Sequence, residues 1–382
     1  MQLSADLHIH SPYSIAVSKA MSPERLLEAG RIKGLDMLGT GDALHPGWRS
    51  LWADYMDNDE GILIVPTMEI EAKGKVHHLI MADTLDTAAA IAEAFSPFSN
   101  NAATSGRPYV SLDGEKIVEI VHDCGGIVGP AHAFTPWTGM YGKFESLAAC
   151  YGTATPDFLE LGLSADSSYG AGIAELDGLP FLSNSDAHSP SPHKIGREFT
   201  RIEVHAKTAK AVIQHICRGD ISLNAGIFPE TGKYSCTACT RCYTHFTCAE
   251  GEQFSWRCPC DGGQIKMGVR DRTLIHSTGG SSIRPPYIHT VSLGEIVSAV
   301  LNTSSLLTRK CQALYSELTG TLGTEISILI DLPLSDIFAV NSKVAGVISD
   351  IRNGDGILYP GGGGKYGTLA FPSLCNESRL SC

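Results

Sequence analysis

The chain has 382 residues, 43% of them hydrophobic and 18% charged, with a formal charge of -12, which suits a globular protein of two or three domains. That charge argues against a generally basic nucleic-acid coat but leaves room for a local basic groove. No apolar run approaches the ~18 residues of a membrane span, and the N-terminus enters a His-bearing strand without a basic, then apolar, signal region. The expectation is a cytoplasmic protein with no membrane partner.

In chain order, Asp6-Leu7-His8-Ile9-His10 reads as a strand end whose alternation puts His8 and His10 on one face. Asp6 shares that face and is expected to orient a ligand histidine from behind. Ser22-Pro23-Glu24 then starts a helix, with Ser as N-cap and Pro at the first helical position, and Gly34 ends it. Apolar runs recur at 35–39, 61–66, 76–81, 125–130, 158–163, 179–183 and 201–204, with helical stretches such as 113–124 and 206–218 between them. The alternation predicts an α/β fold of βα units in a largely parallel sheet or barrel.

Polar residues fall at the ends of these strands. Asp42 follows Thr40-Gly41, Glu69 ends the next run, His78 lies in the run after it, His132 follows Pro130-Ala131, and Asp186 and His188 follow Asn184-Ser185. In a βα barrel the strand C-termini share one rim. His8, His10, Asp42, Glu69, His78, His132, Asp186 and His188 are therefore eight candidate metal ligands and catalytic residues. Of His77 and His78 only one can face the site, and His78 is taken because His-Leu-Ile continues its strand.

From about Ala225 the composition changes. Gly226, Pro229 and Gly232 make a linker, followed by Cys236, Cys239, Cys242, Cys248, Cys258 and Cys260, close to a zinc-ribbon layout. Cys239, Cys242, Cys258 and Cys260 are the expected ligands of one structural zinc, with Cys236 and Cys248 as alternatives and redox chemistry as the lesser reading. The remainder reads as helices, with amphipathic spacing over 291–307 and 337–351. The run Gly361-Gly-Gly-Gly-Lys365 lacks Walker spacing; it is either a plain turn or a backbone approach to phosphate aided by Lys365.

Histidines and carboxylates in this number suit two or three divalent ions (Zn, Mn, Mg or Fe), since a single hydrolytic zinc needs about three protein ligands. Clustered ions clamp a phosphate ester and activate water, so phosphoester hydrolysis is the natural reaction. His8-x-His10, Asp42, Glu69, His78, His132 and Asp186-x-His188, in this order, resemble the motifs of the polymerase-and-histidinol-phosphatase (PHP) phosphoesterase family. The resemblance covers roughly residues 1–225 and implies a distorted (β/α)7 PHP barrel binding up to three metals. The family commonly carries an acidic residue where Ile15 stands and a histidine where Asp42 stands.

Those departures, with His10-Ser-Pro-Tyr-Ser14, the cysteine cluster, Gly268-Val-Arg-Asp-Arg272, Arg284-Pro-Pro-Tyr287 and the glycine run, are similar to the endonuclease Q branch of the family. That resemblance implies a PHP metallo-phosphoesterase barrel (1–225), a zinc-ribbon-like insertion (232–267) and a helical C-terminal DNA-binding domain (268–382). It also implies DNA repair: hydrolysis of the phosphodiester 5′ to deaminated bases (hypoxanthine, uracil, xanthine) or abasic sites. Cys258-Pro-Cys260-Asp261 departs from the usual C-P-x-C. A small-molecule PHP phosphatase, or a non-catalytic metal-stabilised DNA-binding scaffold, would each leave part of the chain without purpose.

A locally basic stretch from Lys194 and Arg197 to Arg218 lies beside Asp186, and Arg270, Arg272 and Arg284 continue it, so Lys194, Arg197, Arg270, Arg272, Arg284 and Lys365 are the candidate nucleic-acid contacts. Reading a damaged base within a duplex requires flipping it out, and Tyr13, Trp137, Tyr141 and Tyr169 are candidates for the pocket wall. A replication clamp is a candidate partner through the C-terminal tail.

Overall fold

A computed structural model of the chain describes residues 1–374. Its first ten strands are β1 (Gln2–Asp6), β2 (Met37–Gly39), β3 (Leu63–Val65), β4 (Thr67–Glu71), β5 (His77–Met81), β6 (Ile127–Pro130), β7 (Leu159–Glu160), β8 (Phe181–Leu182), β9 (Phe199–Glu203) and β10 (Ile221–Gly226). Hydrogen bonding runs in separate ladders. A six-stranded sheet has the order Tyr287–His289, β10, β9, β1, β2, β3; β4, β5 and β6 form a second, and β7 pairs with β8.

The fold is a mixed α/β arrangement, and its pairing differs from the largely parallel one expected. β1, β2 and β3 are parallel, but β9 is antiparallel to both β1 and β10, and β5 is antiparallel to both β4 and β6. The cause is connection length: only residues 72–76 separate β4 from β5, and parallel neighbours need a crossover of about a dozen residues or more.

The pairing sorts side chains onto two faces. Leu79 and Met81 join Leu3, Leu7, Val65, Ala131 and Leu182 in one buried cluster, whereas Met68, Ile70 and Ile80 join Ile91, Ile117 and Phe134 in another, against the helices Leu85–Phe95 and Gly114–Asp123. The site described below sits above the first cluster.

The helix Pro23–Lys33 begins as expected, with Ser22 accepting from the Arg25 amide and Gly34 closing it at φ 93°. In the C-terminal third the stretch expected as one helix over 337–351 is two, Leu334–Val340 and Ser342–Asn353. Asn341, extended at φ -151°, caps the second by accepting from the Val344 amide. These helices, with Leu293–Val300 and Arg309–Leu322, enclose their own core around Ile296, Leu318, Ile337 and Ile348.

A buried ion pair ties that core to the first helix. Lys33 Nζ donates to Glu325 Oε1 at 2.7 Å, and both side chains are all but inaccessible. Glu325 also accepts from the Leu293 amide and the Tyr315 hydroxyl. Glu325→Ala strands an ammonium in the interior and should lower stability by about 3–5 kcal/mol. Lys33→Met leaves Glu325 its two other donors and should cost less; chemical unfolding followed by tryptophan fluorescence checks that order.

Candidate metal centre and adjoining cavity

Each strand delivers its polar residue through a local constraint. Thr40, ahead of Asp42, is fixed because the indole N–H groups of buried Trp48 and Trp52 both donate to its carbonyl, at 3.0 and 3.2 Å. Asp42, His132 and Asp186 adopt left-handed backbone angles (φ 49°, 31° and 47°), uncommon for residues other than glycine and concentrated at functional sites. Gly106 permits a close approach, since a Cβ there would collide with the Asp42 carboxylate.

The structure brings His8, His10, Glu69, His132, Asp186 and His188 together and adds His77. His77 Nδ1 and His132 Nε2 lie 2.8 and 2.9 Å from Glu69 Oε1, and His8 Nε2 lies 3.8 Å from the same oxygen. His10 Nε2 is 3.4 Å from Glu69 Oε2 and 3.1 Å from Asp186 Oδ1, which His188 Nε2 approaches to 3.3 Å. These groups form overlapping sets of three potential ligands, sharing His10 and Glu69. His8 Nε2, His10 Nε2 and Asp186 Oδ1 are buried without a well-aligned hydrogen-bond partner. Buried polar atoms are otherwise almost always paired, so converging unpaired donors of this chemistry fit divalent cations, with Glu69 placed to bridge two.

His78 is not among them, which corrects the expectation. Glu69 pairs with Leu79 across the β4–β5 ladder, so His77 shares their face and His78 turns to the other. There His78 Nδ1 meets the Tyr151 hydroxyl at 3.0 Å, and burial, reinforced by His77, pushes its pKa down to about 3. The signal was in the sequence: residues 69, 77 and 79 share a face once β4 and β5 are read as a tight hairpin.

Asp42 also differs from expectation. Its Oδ1 meets His10 Nδ1 at 3.0 Å and its Oδ2 accepts from Ser11 N, Ser11 Oγ and Ser14 Oγ, so both oxygens are committed to orienting His10 and its loop. The same role towards His8 falls to Glu160, which lies outside the expected set: both its oxygens lie within 3.0 Å of His8 Nδ1, and it accepts from His132 N and Asn184 Nδ2. Asp6 touches no histidine; it accepts from the amides of Ser185 and Gly196 and so holds the segment leading to Asp186. Arg107 is a further residue unmarked in the sequence, donating to Glu69 Oε2 at 2.9 Å.

A cavity of about 780 Å³, lined by none of these ligands themselves, connects to the cluster through the segment after His132 and through Arg197. Its wall includes Thr135–Trp137, in the loop that follows His132, together with Lys194, Phe228, Tyr234, Tyr366 and Arg197. Arg197 also donates twice to the Ser185 carbonyl, next to Asp186. Trp137 is half exposed with Lys266 Nζ 3.9 Å from its ring centre, whereas Tyr141 is buried against Phe134. Tyr13 stacks on His45, and Tyr169 is partly buried away from the cavity lining.

The remaining basic candidates divide. Arg284 is structural, spanning the carbonyls of Leu176 and Leu179 over the Phe181 ring, and Arg272 is half-buried with a bond to the Tyr141 carbonyl. Arg270 and Lys365 are exposed. The glycine run is a docking turn: the amides of Gly361, Gly362, Gly364, Lys365 and Gly367 are all bonded to protein carbonyls, leaving none of them for phosphate. Among the cysteines, Cys239, Cys242 and Cys258 converge with Asp261, while Cys260 is exposed and outside the group.

Burial opposes charge in the centre; partners reverse it at His8, His10, His132, Glu69 and Asp186, whereas at His77 burial prevails and lowers the pKa. For His8 burial is outweighed by Glu160, then Glu69 and Asp186, raising its pKa to about 9. Burial likewise acts against the Glu69 carboxylate, but His77, His132 and His8 hold it well below the usual range. In the metal-free centre His8 is thus protonated at neutral pH, and a cation must displace that proton. Metal affinity should therefore weaken as pH falls below about 9, by about tenfold per unit for each displaced proton, as titration calorimetry at several pH values checks.

His77→Ala should deplete bound metal, whereas His78→Asn should retain metal and instead lower stability by about 1–3 kcal/mol through the orphaned Tyr151 hydroxyl. Glu160→Gln should weaken metal affinity by about 10–100-fold. Metal analysis and thermal unfolding on the same preparations separate the two kinds of effect.

Known proteins resemble the chain over part or all of its length. Residues 292–355 match the family model of the MJ0043 C-terminal domain. The uncharacterised protein YqxK of Bacillus subtilis is 30% identical over 403 aligned positions, covering 96% of this chain and 99% of that one. Protein MJ0043 of Methanocaldococcus jannaschii is 39% identical over 274 positions; the match covers 69% of this chain and 32% of that longer relative. The crystal structure of the lesion-specific endonuclease PfuEndoQ from Pyrococcus furiosus superposes with a TM-score of 0.94 at 42% identity, covering 100% of this chain and 98% of that one. An endonuclease Q bound to a 27-mer duplex with an abasic lesion at its active site gives 0.92 at 41% identity, with the same coverage. With similarity of this extent along its whole length, the chain belongs to the endonuclease Q family.

Proposed function

We propose that the chain is a metal-dependent endodeoxyribonuclease of DNA repair that hydrolyses the phosphodiester 5′ to a deaminated base (hypoxanthine, uracil or xanthine) or an abasic site, in the cytoplasm. The observation that carries this reading is the junction of the imidazole–carboxylate cluster with the cavity. On this reading a scissile phosphate lies over Glu69 and Asp186 and the flipped nucleotide enters the cavity, whose wall joins the cluster through Thr135, after His132, and through Arg197, bonded to the Ser185 carbonyl. A flipped base needs such a partly aromatic pocket, and a related endonuclease Q holds a lesion-bearing duplex at its active site. The separate ladders are read as the distorted PHP barrel, with residues 232–267 and 268–374 supplying much of the DNA-facing wall.

His8, His10, His77, His132, His188, Glu69 and Asp186 would hold two or three divalent ions, which supply Lewis acidity at the phosphate and activate water. The chain's own residues do the positioning. Glu160 and Asp42 fix the rings of His8 and His10, so that one nitrogen of each faces the centre. Among the described residues Arg107 is the one guanidinium bonded to Glu69, and it is placed to neutralise a phosphate oxygen. Cleavage would leave a 3′-hydroxyl and a 5′-phosphate. The clamp contact expected of the C-terminal tail falls at 375–382, outside the described residues.

The test is incubation with labelled duplexes carrying hypoxanthine, uracil, an abasic site or no lesion, with manganese, magnesium, zinc or EDTA. Nicking should occur 5′ to the lesion, be abolished by EDTA, and fall by about 100-fold or more in Arg107→Ala if its cation stabilises the transition state. Equal cutting of the undamaged duplex, or hydrolysis of histidinol phosphate without nicking, would overturn the assignment.

A further inference from the structure

The second cluster of ligating side chains lies in the cysteine-bearing segment, away from the centre described above. Cys242 Sγ and Cys258 Sγ stand 3.6 Å apart, Cys239 Sγ and Asp261 Oδ1 3.3 Å apart, and all four donor atoms lie within 4.8 Å of one another. A tetrahedral zinc with bonds of ~2.3 Å to sulfur and ~2.0 Å to oxygen would set such edges at about 3.8 and about 3.5 Å. We infer that this segment holds zinc through three thiolates and one carboxylate, Cys239, Cys242, Cys258 and Asp261, with Cys260 left as a free surface thiol.

Sequence and backbone support Asp261 over Cys260 independently. Asp261 is three residues after Cys258, as Cys242 is three after Cys239. The four donors are also prepared in the same way. The amide of Arg241 donates to Cys239 Sγ and that of Gly263 to Asp261 Oδ1; those of Thr244 and Cys260 do the same for Cys242 and Cys258. Each donor thus receives the N–H of the residue two positions on. Cys260 contributes its amide to that pattern, while its thiol lies outside the converging group.

The ion would brace a wall of the cavity. Ala238–Cys239 pairs with Ile265–Lys266, whose lysine sits over Trp137, and Gly362 bridges to Cys236 beneath. A carboxylate gives the same net site charge as a fourth thiolate but is a harder ligand, less suited to zinc than sulfur.

Cobalt substitution of the full chain tests the assignment, because none of the N/O ligands of the main centre can contribute a thiolate-to-cobalt charge-transfer band. The wild type should show such a band. Asp261→Cys should raise its intensity by about a third, from three thiolates to four, and Cys260→Ser should leave it unchanged. Asp261→Cys should also slow zinc release to a chromophoric chelator. No band in the wild type, loss of about a quarter of it in Cys260→Ser, or no gain in a folded Asp261→Cys would each overturn the assignment. Should Asp261→Cys fail to fold, the surface variant Cys260→Ser still decides, and none of these readings depends on nuclease activity.

Discussion

The carboxylate of Glu69, buried among the imidazoles of His8, His10, His77 and His132, is the constraint on which the rest of the structure depends. Burying a carboxylate costs several kcal/mol unless opposite charge and hydrogen bonds offset it, and here Arg107 and the surrounding rings do so. Every nearby device keeps the ring orientations fixed: Glu160 and Asp42 grip the outer nitrogens, Asp6 pins the loop to Asp186, and two tryptophans clamp the carbonyl of Thr40. Left-handed backbone at Asp42, His132 and Asp186 is tolerated because these contacts over-determine it.

Much of this was legible in the sequence, and what was not has a physical cause. Residue type beside the apolar runs marked His8, His10, Glu69, His132, Asp186 and His188, although Glu69 lies in the middle of β4 and not at its end. The choice between His77 and His78 depended on pairing direction, a long-range property, and assuming parallel βα units hid the hairpin that puts His77 opposite Glu71. Glu160 looked like an ordinary residue closing an apolar strand; only the meeting of β7 with the His8 segment, 152 positions away, gives it a role. Asp42 was found in the right place and given the wrong duty, since a carboxylate beside a histidine can ligate or orient and only its hydrogen bonds distinguish the two.

Charge was the least legible feature. A basic run in sequence becomes a basic surface only where its side chains are free, and here many are spent on the fold. Arg201 pairs with both oxygens of Asp331, Arg284 and Arg352 bind backbone carbonyls, and Lys33 lies buried on Glu325. What lines the cavity is a small set, chiefly Lys194, Lys233 and Arg197, the last itself bonded to the Ser185 carbonyl, on a chain of net charge -12.

For a DNA-repair nuclease that distribution has a consequence. Affinity from phosphate neutralisation scales with the number of cations that reach the backbone, and it is sequence-independent. On the proposed reading, discrimination beyond phosphate contact comes from the nucleotide that enters the cavity lined by Trp137 and Tyr234, whose rings meet edge to face at 6.0 Å. Lesions weaken stacking and pairing and so lower the cost of extrusion. On the proposed reading, a wall braced by Lys266 over Trp137, and by the cysteine segment behind it, lets that small difference in extrusion cost decide which phosphate reaches Glu69 and Asp186.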